Sequence, residues 1–120
     1  GECAGNYITK VARLEKSATG LKVMLAANTF TQSKIVVMYK LVPVGYAGNL
    51  DELEFRFLNS TGVPDNGALV PQNDLTTFTD YEYTIEDTDE FDAFQVKISL
   101  LSYDQPYIPR VKDFRGIALA

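Results

Sequence analysis

Short runs in which apolar and polar residues alternate are the feature that most constrains the fold of this chain. In LKVMLAA, for example, Leu21, Val23 and Leu25 occupy every second position, with Lys22 between the first two. A period of two places alternate side chains on one face of a β-strand, whereas an α-helix needs a period of about 3.6. Turn-forming Gly, Pro, Asn and Asp separate the runs, and none shows a convincing helical period. The pattern therefore predicts an all-β protein.

The runs predict about seven or eight strands, placed at 7–14, 21–27, 34–44, 53–59, 78–85, 94–102 and 110–120. The run KIVVMYKLVPV is apolar on both faces, which indicates a strand inside a sheet that ends at Pro43, because proline has no N–H to donate. The segment 59–77 is rich in Asn, Gly, Pro and Asp, so we predict a long loop there. We predict an antiparallel β-sandwich that is more jelly-roll-like than immunoglobulin-like, because the Cys…Trp…Cys framework is absent.

The length, charge and residue composition of the chain argue against several classes of function. The length favours a single domain over 1–120, which a longer parent chain could contain. A net charge of −5 with scattered basic residues argues against nucleic acid, and no apolar run approaches the roughly 18 residues that suggest a membrane span. The chain has no histidine, and Cys3 is its one cysteine, so a thiol nucleophile would have no imidazole to activate it. We expect a buried or idle Cys3 thiol, no cofactor and no enzymatic activity.

Two segments of the sequence resemble a known family when they are read together. The first is YITKVARLEKSATGLKVMLAANTFTQSKIVVMYKLVP, and the second is FDAFQVKISLLSYDQPYIPRVKDFRGIALA. Together they resemble a β-sandwich domain of structural proteins in T4-like and marine tailed bacteriophages. In that family an FQ(I/V)KI strand is followed, after a polar turn with a proline, by a closing (K)D(L/F)RAIAL segment.

The resemblance extends from about Tyr7 to Leu119, although the middle segment 43–77 has no counterpart and Gly116 stands where the family has alanine. It implies a tail or baseplate component of the virion, assembled in the host cytoplasm. It also implies an oligomeric assembly, with other virion structural proteins as partners.

The acidic stretch IEDTDEFDAF, residues 85–94, is the most conspicuous candidate for chemistry. Asp87, Asp89 and Asp92 echo the start of a calcium-binding loop, since Ca²⁺ prefers several oxygen ligands. The EF-hand pattern fails because Phe91 and Asp92 occupy the positions of its sixth-position glycine and a neighbouring ligand, and no helices flank it. We favour a charged turn that brings Phe91 and Phe94 into the core, and we keep a weak Ca²⁺ site as the alternative.

Carboxylates and tyrosines could also bind or cleave a sugar. Glu54 and Glu82 lie on the polar faces of predicted strands, where a glycosidase pair could face a cleft, although outward-facing glutamates are common on strands. Flat faces for sugar stacking could come from five tyrosines, namely Tyr46, Tyr81, Tyr83, Tyr103 and Tyr107. A carbohydrate-binding, lectin-like module is therefore the alternative function. Tyr103 and Tyr107 flank DQP in a late turn and are the best candidates for a partner surface.

Arg110, Lys112 and Arg115 form the one local basic grouping in the sequence. We expect them to join Asp104 and Asp113 in a mixed salt-bridging surface, and the alternative is a contact for an acidic neighbour in an assembly. Taken with the resemblance, the sequence predicts a structural domain that acts through protein–protein assembly.

Overall fold

The computed structural model describes the backbone of residues 2–59, 62–65, 67–104 and 107–120, and the side chains of these residues from Gly5 onward. The prediction for the Cys3 thiol therefore lies outside the described side chains. The described residues form eight strands and one short 3₁₀ turn at Leu50–Glu52. The strands are β1 (Glu2–Ile8), β2 (Ala12–Ala18), β3 (Gly20–Asn28), β4 (Ser33–Pro43), β5 (Arg56–Phe57), β6 (Thr79–Ile85), β7 (Phe91–Ser102) and β8 (Arg110–Leu119).

The strands form two antiparallel sheets. In the five-stranded sheet, β7 is flanked on one side by β1 and β2, which share its edge, and on the other by β4, with β5 outermost. In the three-stranded sheet, β3 lies between β6 and β8. The connections from β3 to β4, from β6 to β7 and from β7 to β8 each pass from one sheet to the other. This arrangement confirms the predicted all-β sandwich.

Alternating residues from both sheets build one core between them. On β3, Leu21, Val23 and Leu25 face inward, and on β4 the corresponding side chains are Ile35 and Val37. Burying a side chain of this size contributes roughly 1.5–3 kcal/mol, so the period-two pattern is also the main source of stability. β4 is apolar on both faces and ends at Pro43, as the sequence predicts.

A bulge in β7 brings two aromatic rings to the core. Phe91 and Phe94 are three residues apart, a spacing that would place them on opposite faces of a regular strand. One step along β4, from Val42 to Pro43, corresponds to two steps along β7, and Asp92 is the extra residue. Both rings are consequently buried and meet edge to face with their centroids 6.5 Å apart. The predicted delivery of these rings into the core is confirmed.

Gly116 of β8 faces the second of these rings. A Cβ added to Gly116 would lie 3.1 Å from Phe94 Cε2, so the glycine leaves room for the ring.

The predicted first strand, 7–14, is wrong, because the structure has two strands, β1 and β2, along the same edge of β7. Thr9 interrupts them. Its N–H donates to the Val96 carbonyl at 2.9 Å, and its Oγ1 accepts from the Val96 N–H at 3.0 Å. The Thr9 carbonyl in turn accepts from Gln95 Nε2 at 2.8 Å. A threonine side chain that bonds backbone in this way competes with a regular ladder.

The predicted strand at 53–59 is also largely wrong, since only Arg56 and Phe57 pair with β4. Phe57 is 49% exposed, and the side chain that enters the core is its neighbour Leu58. The segment before β5 lies instead against the outer face of the five-stranded sheet, where Lys40 Nζ donates to the Leu50 carbonyl at 3.1 Å. Alternation in LEFRF therefore reflects packing on the outside of the sheet rather than a half-buried strand.

The predicted long loop at 59–77 has no strand or helix in its described residues, and it closes one side of the sandwich. The Gly62 carbonyl accepts from the Val37 N–H at 3.4 Å on one sheet. On the other sheet, Asp65 donates its N–H to the Glu82 carbonyl at 2.7 Å and accepts from the Thr84 N–H at 2.9 Å. These bonds cover part of the outer edge of β6, and covered edges resist pairing with other chains.

Candidate functional site

The predicted partner residues Tyr103 and Tyr107 lie at one end of the sandwich, in the connection between β7 and β8. Tyr103 is 64% exposed, and its N–H donates to the Gln32 carbonyl at 2.7 Å. Tyr107 donates its N–H to the Asp104 carbonyl at 2.9 Å, and its ring meets Phe30 edge to face at 5.4 Å. The backbone bonds fix the tyrosines while much of each ring stays in contact with solvent.

An apolar hollow of about 320 Å³ lies beside Tyr103. Its apolar lining comes from the β3–β4 turn, the start of β4 and the 59–77 loop, and includes Phe30, Ile35, Val63, Leu69 and Pro71. Val70 and Ile108 are exposed as well. We call Phe30, Val70, Tyr103, Tyr107 and Ile108, with this hollow, the tyrosine end. The contribution of the loop was not predicted from the sequence, where its one signal is the apolar ALVP inside a polar segment.

Buried polar side chains hold the loop against this end. Asn28 Nδ2 donates to the carbonyls of Asp74 and Thr77 at 2.9 and 2.8 Å. Thr29 Oγ1 donates to the Val70 carbonyl at 3.3 Å. Asp74 accepts from the Thr77 hydroxyl and from the backbone N–H groups of Thr76 and Thr77, and these bonds hold the pKa of its carboxyl below the ordinary value. The loop residues of the tyrosine end are therefore anchored rather than loosely attached.

The predicted basic grouping lies along β8 on the outer face of the three-stranded sheet. Arg110, Lys112 and Arg115 pair with Asn28, Ala26 and Met24 of β3, which all share this face. Lys112 and Arg115 are three residues apart, and a bulge allows them to share the face. Two steps along β3 correspond to three along β8, and Asp113 lies in the bulge with a φ of 54°.

The three basic residues are exposed and have no acidic partner in the described part of the chain. Lys112 Nζ lies 4.2 Å from the centroid of the Phe78 ring, and Arg115 Nη2 lies 4.0 Å from Met24 Sδ. Within the described residues the structure has one ion pair, between Lys22 Nζ and Glu82 Oε2 at 3.5 Å. The predicted salt-bridging surface with Asp104 and Asp113 is therefore wrong. We call Arg110, Lys112 and Arg115 the basic row.

The acidic stretch forms an exposed turn from residue 86 to residue 90, between β6 and β7. The Thr88 N–H donates to the Thr19 carbonyl at 2.9 Å, and the Val44 N–H donates to the Glu90 carbonyl at 3.2 Å. In the described part of the chain no three acidic or cysteine side chains are grouped closely enough to hold a metal ion. The structure thus does not gather Asp87, Asp89 and Asp92 into a ligand set, and Asp92 serves as the bulge residue of β7.

The same turn forms one wall of a groove of about 580 Å³, and the segment around the 3₁₀ turn forms another. Six carboxylates line it, with Arg56 as the one cation among the lining residues; they are Glu52, Glu54, Glu86, Asp87, Asp89 and Glu90. We call this the acidic groove. The groove was not predicted from the sequence, because the carboxylates of its two walls, such as Glu54 and Glu86, are more than 30 residues apart and no local pattern links them.

The predicted carboxylate pair does not come together. Glu54 lines the acidic groove, whereas Glu82 lies on the outer face of the three-stranded sheet beside Lys22 and lines a separate depression. The two side chains do not face one cleft, which a glycosidase pair requires.

Three of the five tyrosines considered for sugar stacking are unsuited to that role. Tyr81 and Tyr83 are core residues, and burial raises the pKa of the Tyr83 hydroxyl. Tyr46 is half-buried and donates its hydroxyl to the Asn49 carbonyl at 2.8 Å. Only Tyr103 and Tyr107 among the five are exposed. A sugar-stacking site would therefore have to be built at the tyrosine end.

Comparison of the chain with protein-family models, with curated proteins and with solved structures finds no match. Within the described residues the structure contains no helix with the length and apolar character needed to cross a membrane.

Proposed function

We propose that this chain is a structural domain of a tailed-phage tail or baseplate protein, and that it acts by binding neighbouring proteins in the assembled particle. The resemblance of its first and last segments to such domains suggests the setting. The observation that supports assembly best is the tyrosine end, where Tyr103 is 64% exposed beside an apolar hollow. Aromatic residues are enriched at protein interfaces, and exposed apolar groups that lie together mark interaction sites.

The mechanism is mechanical. The two sheets pack into a rigid body, and the hydrogen bonds from Asn28 and Thr29 hold the loop side of the tyrosine end in place. A preorganised surface loses little conformational freedom when a partner binds, which favours tight association. No reaction is needed for this role, and we propose that the domain is not an enzyme.

Carbohydrate binding is the weaker alternative. Lectin-like sites combine an exposed aromatic face with polar groups that fix the sugar. Tyr39 lines the acidic groove and Tyr81 lines the depression that contains Glu82, and both tyrosines are buried, while the exposed Tyr103 borders a hollow whose lining is mostly apolar. This division of aromatic and acidic groups between separate sites favours a protein partner.

The test is mass spectrometry of purified particles of the phage whose genome encodes the chain, together with the identity of the neighbouring genes. We expect peptides of this chain in tail fractions at a fixed ratio to other tail proteins, and tail or baseplate genes on either side. Absence from purified particles would overturn the proposal. Binding on a glycan array that a Tyr103→Ala substitution abolishes would favour the lectin-like alternative.

A further inference from the structure

Two surfaces of opposite charge lie on this chain, and neither has an ion-pair partner among the described residues. The basic row presents three exposed cations on β8, and none of them is within ion-pair distance of a described carboxylate. The acidic groove presents six carboxylates against one arginine, and none of these forms an ion pair within the described residues either. Each surface therefore has the chemistry that the other requires.

The two surfaces do not form ion pairs with each other within the described residues of one copy. The basic row occupies the half of β8 that pairs with Met24–Asn28, towards the tyrosine end. The acidic groove lies beyond the opposite end of the three-stranded sheet, where Ile85 pairs with Leu21 and the acidic turn begins. No ion pair joins the two surfaces within the described residues, so the charges of both remain available to a second molecule.

We propose that the basic row of one copy binds in the acidic groove of a second copy, giving a head-to-tail contact that can repeat. Each surface is thus occupied by another copy of the same chain, because the cations of the row complement the carboxylates of the groove. When this contact is made once between each pair of copies it is heterologous, and it then produces a ring or an open filament rather than a closed two-fold dimer. The biological setting of this contact rests on the proposed assembly function, but the contact itself is a property of the isolated protein.

The shape of both surfaces suits this contact. The groove is a recess bounded by two segments of backbone, and the row projects from an edge strand whose bulge at Asp113 turns Lys112 and Arg115 to the same side. Arginine can form two parallel hydrogen bonds with one carboxylate, so Arg110 and Arg115 are suited to groups spaced along a groove wall. Single exposed ion pairs are weak, so association should need several of them and should depend on salt.

The experiment is sedimentation velocity of the whole chain over a range of concentrations, at about 20 mM and about 500 mM salt, where the Debye length falls from roughly 20 to roughly 4 Å. We expect concentration-dependent association at low salt and a monomer at high salt. Two neutralised variants test the surfaces. The row variant carries Arg110→Gln, Lys112→Gln and Arg115→Gln, and the groove variant carries Glu54→Gln, Glu86→Gln and Asp89→Asn.

We expect each variant alone to be monomeric at low salt. Mixing them should give a 1:1 complex that grows no further, because the groove variant keeps its row and the row variant keeps its groove. The groove variant has a net charge of −2, which is −5 plus the 3 charges removed, so general repulsion falls and unspecific association would increase. Loss of association in this variant is therefore specific to the groove.

A control variant with Lys10→Gln, Arg13→Gln and Lys16→Gln removes the same charge as the row variant from exposed residues at the edge of the other sheet. It should associate like the parent chain. All variants should melt within about 3 °C of the parent, as expected for surface changes.

The proposal is overturned if the parent chain stays monomeric at low salt, if the row variant associates normally, if the control also loses association, or if the mixture remains monomeric. A monomeric parent chain that is nevertheless found in purified particles would leave the proposed function standing, with a different acidic protein as the occupant of the row.

Discussion

The ammonium group of Lys40 lies 4.5 Å from the centroid of the Phe55 ring, on the outer face of the five-stranded sheet. Lys40 is only 7% exposed, and apart from the ring its partner in the structure is the Leu50 carbonyl. A desolvated cation–π contact contributes about 2 kcal/mol. The segment before β5 is therefore held in place by a buried lysine, although it forms almost no strand of its own.

The first prediction tests this contact. Replacing Phe55 with alanine should lower the free energy of unfolding by about 2 kcal/mol, because Lys40 loses the ring that covers it. Urea unfolding followed by circular dichroism measures the change. Phe57→Ala is the matched control, since its ring is half exposed, and it should cost less than about 1 kcal/mol. Equal losses for the two variants would contradict the role given to Lys40.

The second prediction compares two tyrosines of β6. The hydroxyl of Tyr83 is buried without a hydrogen-bond partner among the described residues, so Tyr83→Phe should leave stability unchanged or raise it by up to about 1 kcal/mol. The hydroxyl of Tyr81 accepts from the Val70 N–H at 2.9 Å, so Tyr81→Phe should lower stability by about 0.5–1.5 kcal/mol. Thermal and urea unfolding measure both variants. The reverse order of stability would show that Tyr83 has a partner in solution.

The third prediction concerns the acidic turn. Changing Asp87, Asp89 and Asp92 together to Asn should alter the free energy of unfolding by less than about 0.5 kcal/mol, because no group of described carboxylates is arranged to hold a metal. Asparagine also tolerates the left-handed backbone that Asp87 adopts, with a φ of 57°. Differential scanning calorimetry with and without EDTA is the measurement. A fall of many degrees in either experiment would reveal a cation site.

The fourth prediction follows from the lowered pKa of the Asp74 carboxyl. The hydrogen bonds that it accepts from Thr77 are the largest cause of this shift, and those from Thr76 contribute less. Because the folded-state pKa lies below the unfolded one, the carboxylate contributes to stability above the ordinary value of 3.8, and this contribution is lost as the pH falls through the folded pKa. In Asp74→Asn the fall in stability between about pH 4 and pH 2 should be smaller than in the parent chain. Asp80→Asn, an exposed carboxylate without such bonds, is the control, and equal pH profiles for all three proteins would contradict the prediction.

The sequence predicts those parts of the fold that depend on local alternation. β3, β4 and β7 each bury one face against the opposite sheet, and the period of two in their sequences reflects this burial. The prediction fails where a tertiary contact replaces the ladder. Thr9 splits the first strand by bonding Val96, and the segment before β5 packs on Lys40 instead of pairing.

The candidate sites also divide into features that the local sequence predicts and features that only the fold creates. Tyr103 and Tyr107 are predictable as exposed residues of a turn, because polar residues and a proline surround them in the sequence. The acidic groove is not predictable, since it forms only when the fold brings Glu54 near the turn that contains Glu86. The sequence also does not predict that the basic row lacks ion pairs. Asp113 is close to Lys112 and Arg115 in the sequence, which suggests an ion pair, but Asp113 lies in the bulge and forms none with them.

The two bulges have a consequence for how this chain can change during evolution. Deleting Asp92 would leave Phe91 and Phe94 two residues apart, so a regular strand would keep both rings on one face, and deleting Asp113 would do the same for Lys112 and Arg115. A one-residue deletion elsewhere in β7 or β8 would instead turn every residue on one side of it to the opposite face. The two bulges are therefore the positions at which these strands can lose a residue and still keep each side chain on its face of the sheet.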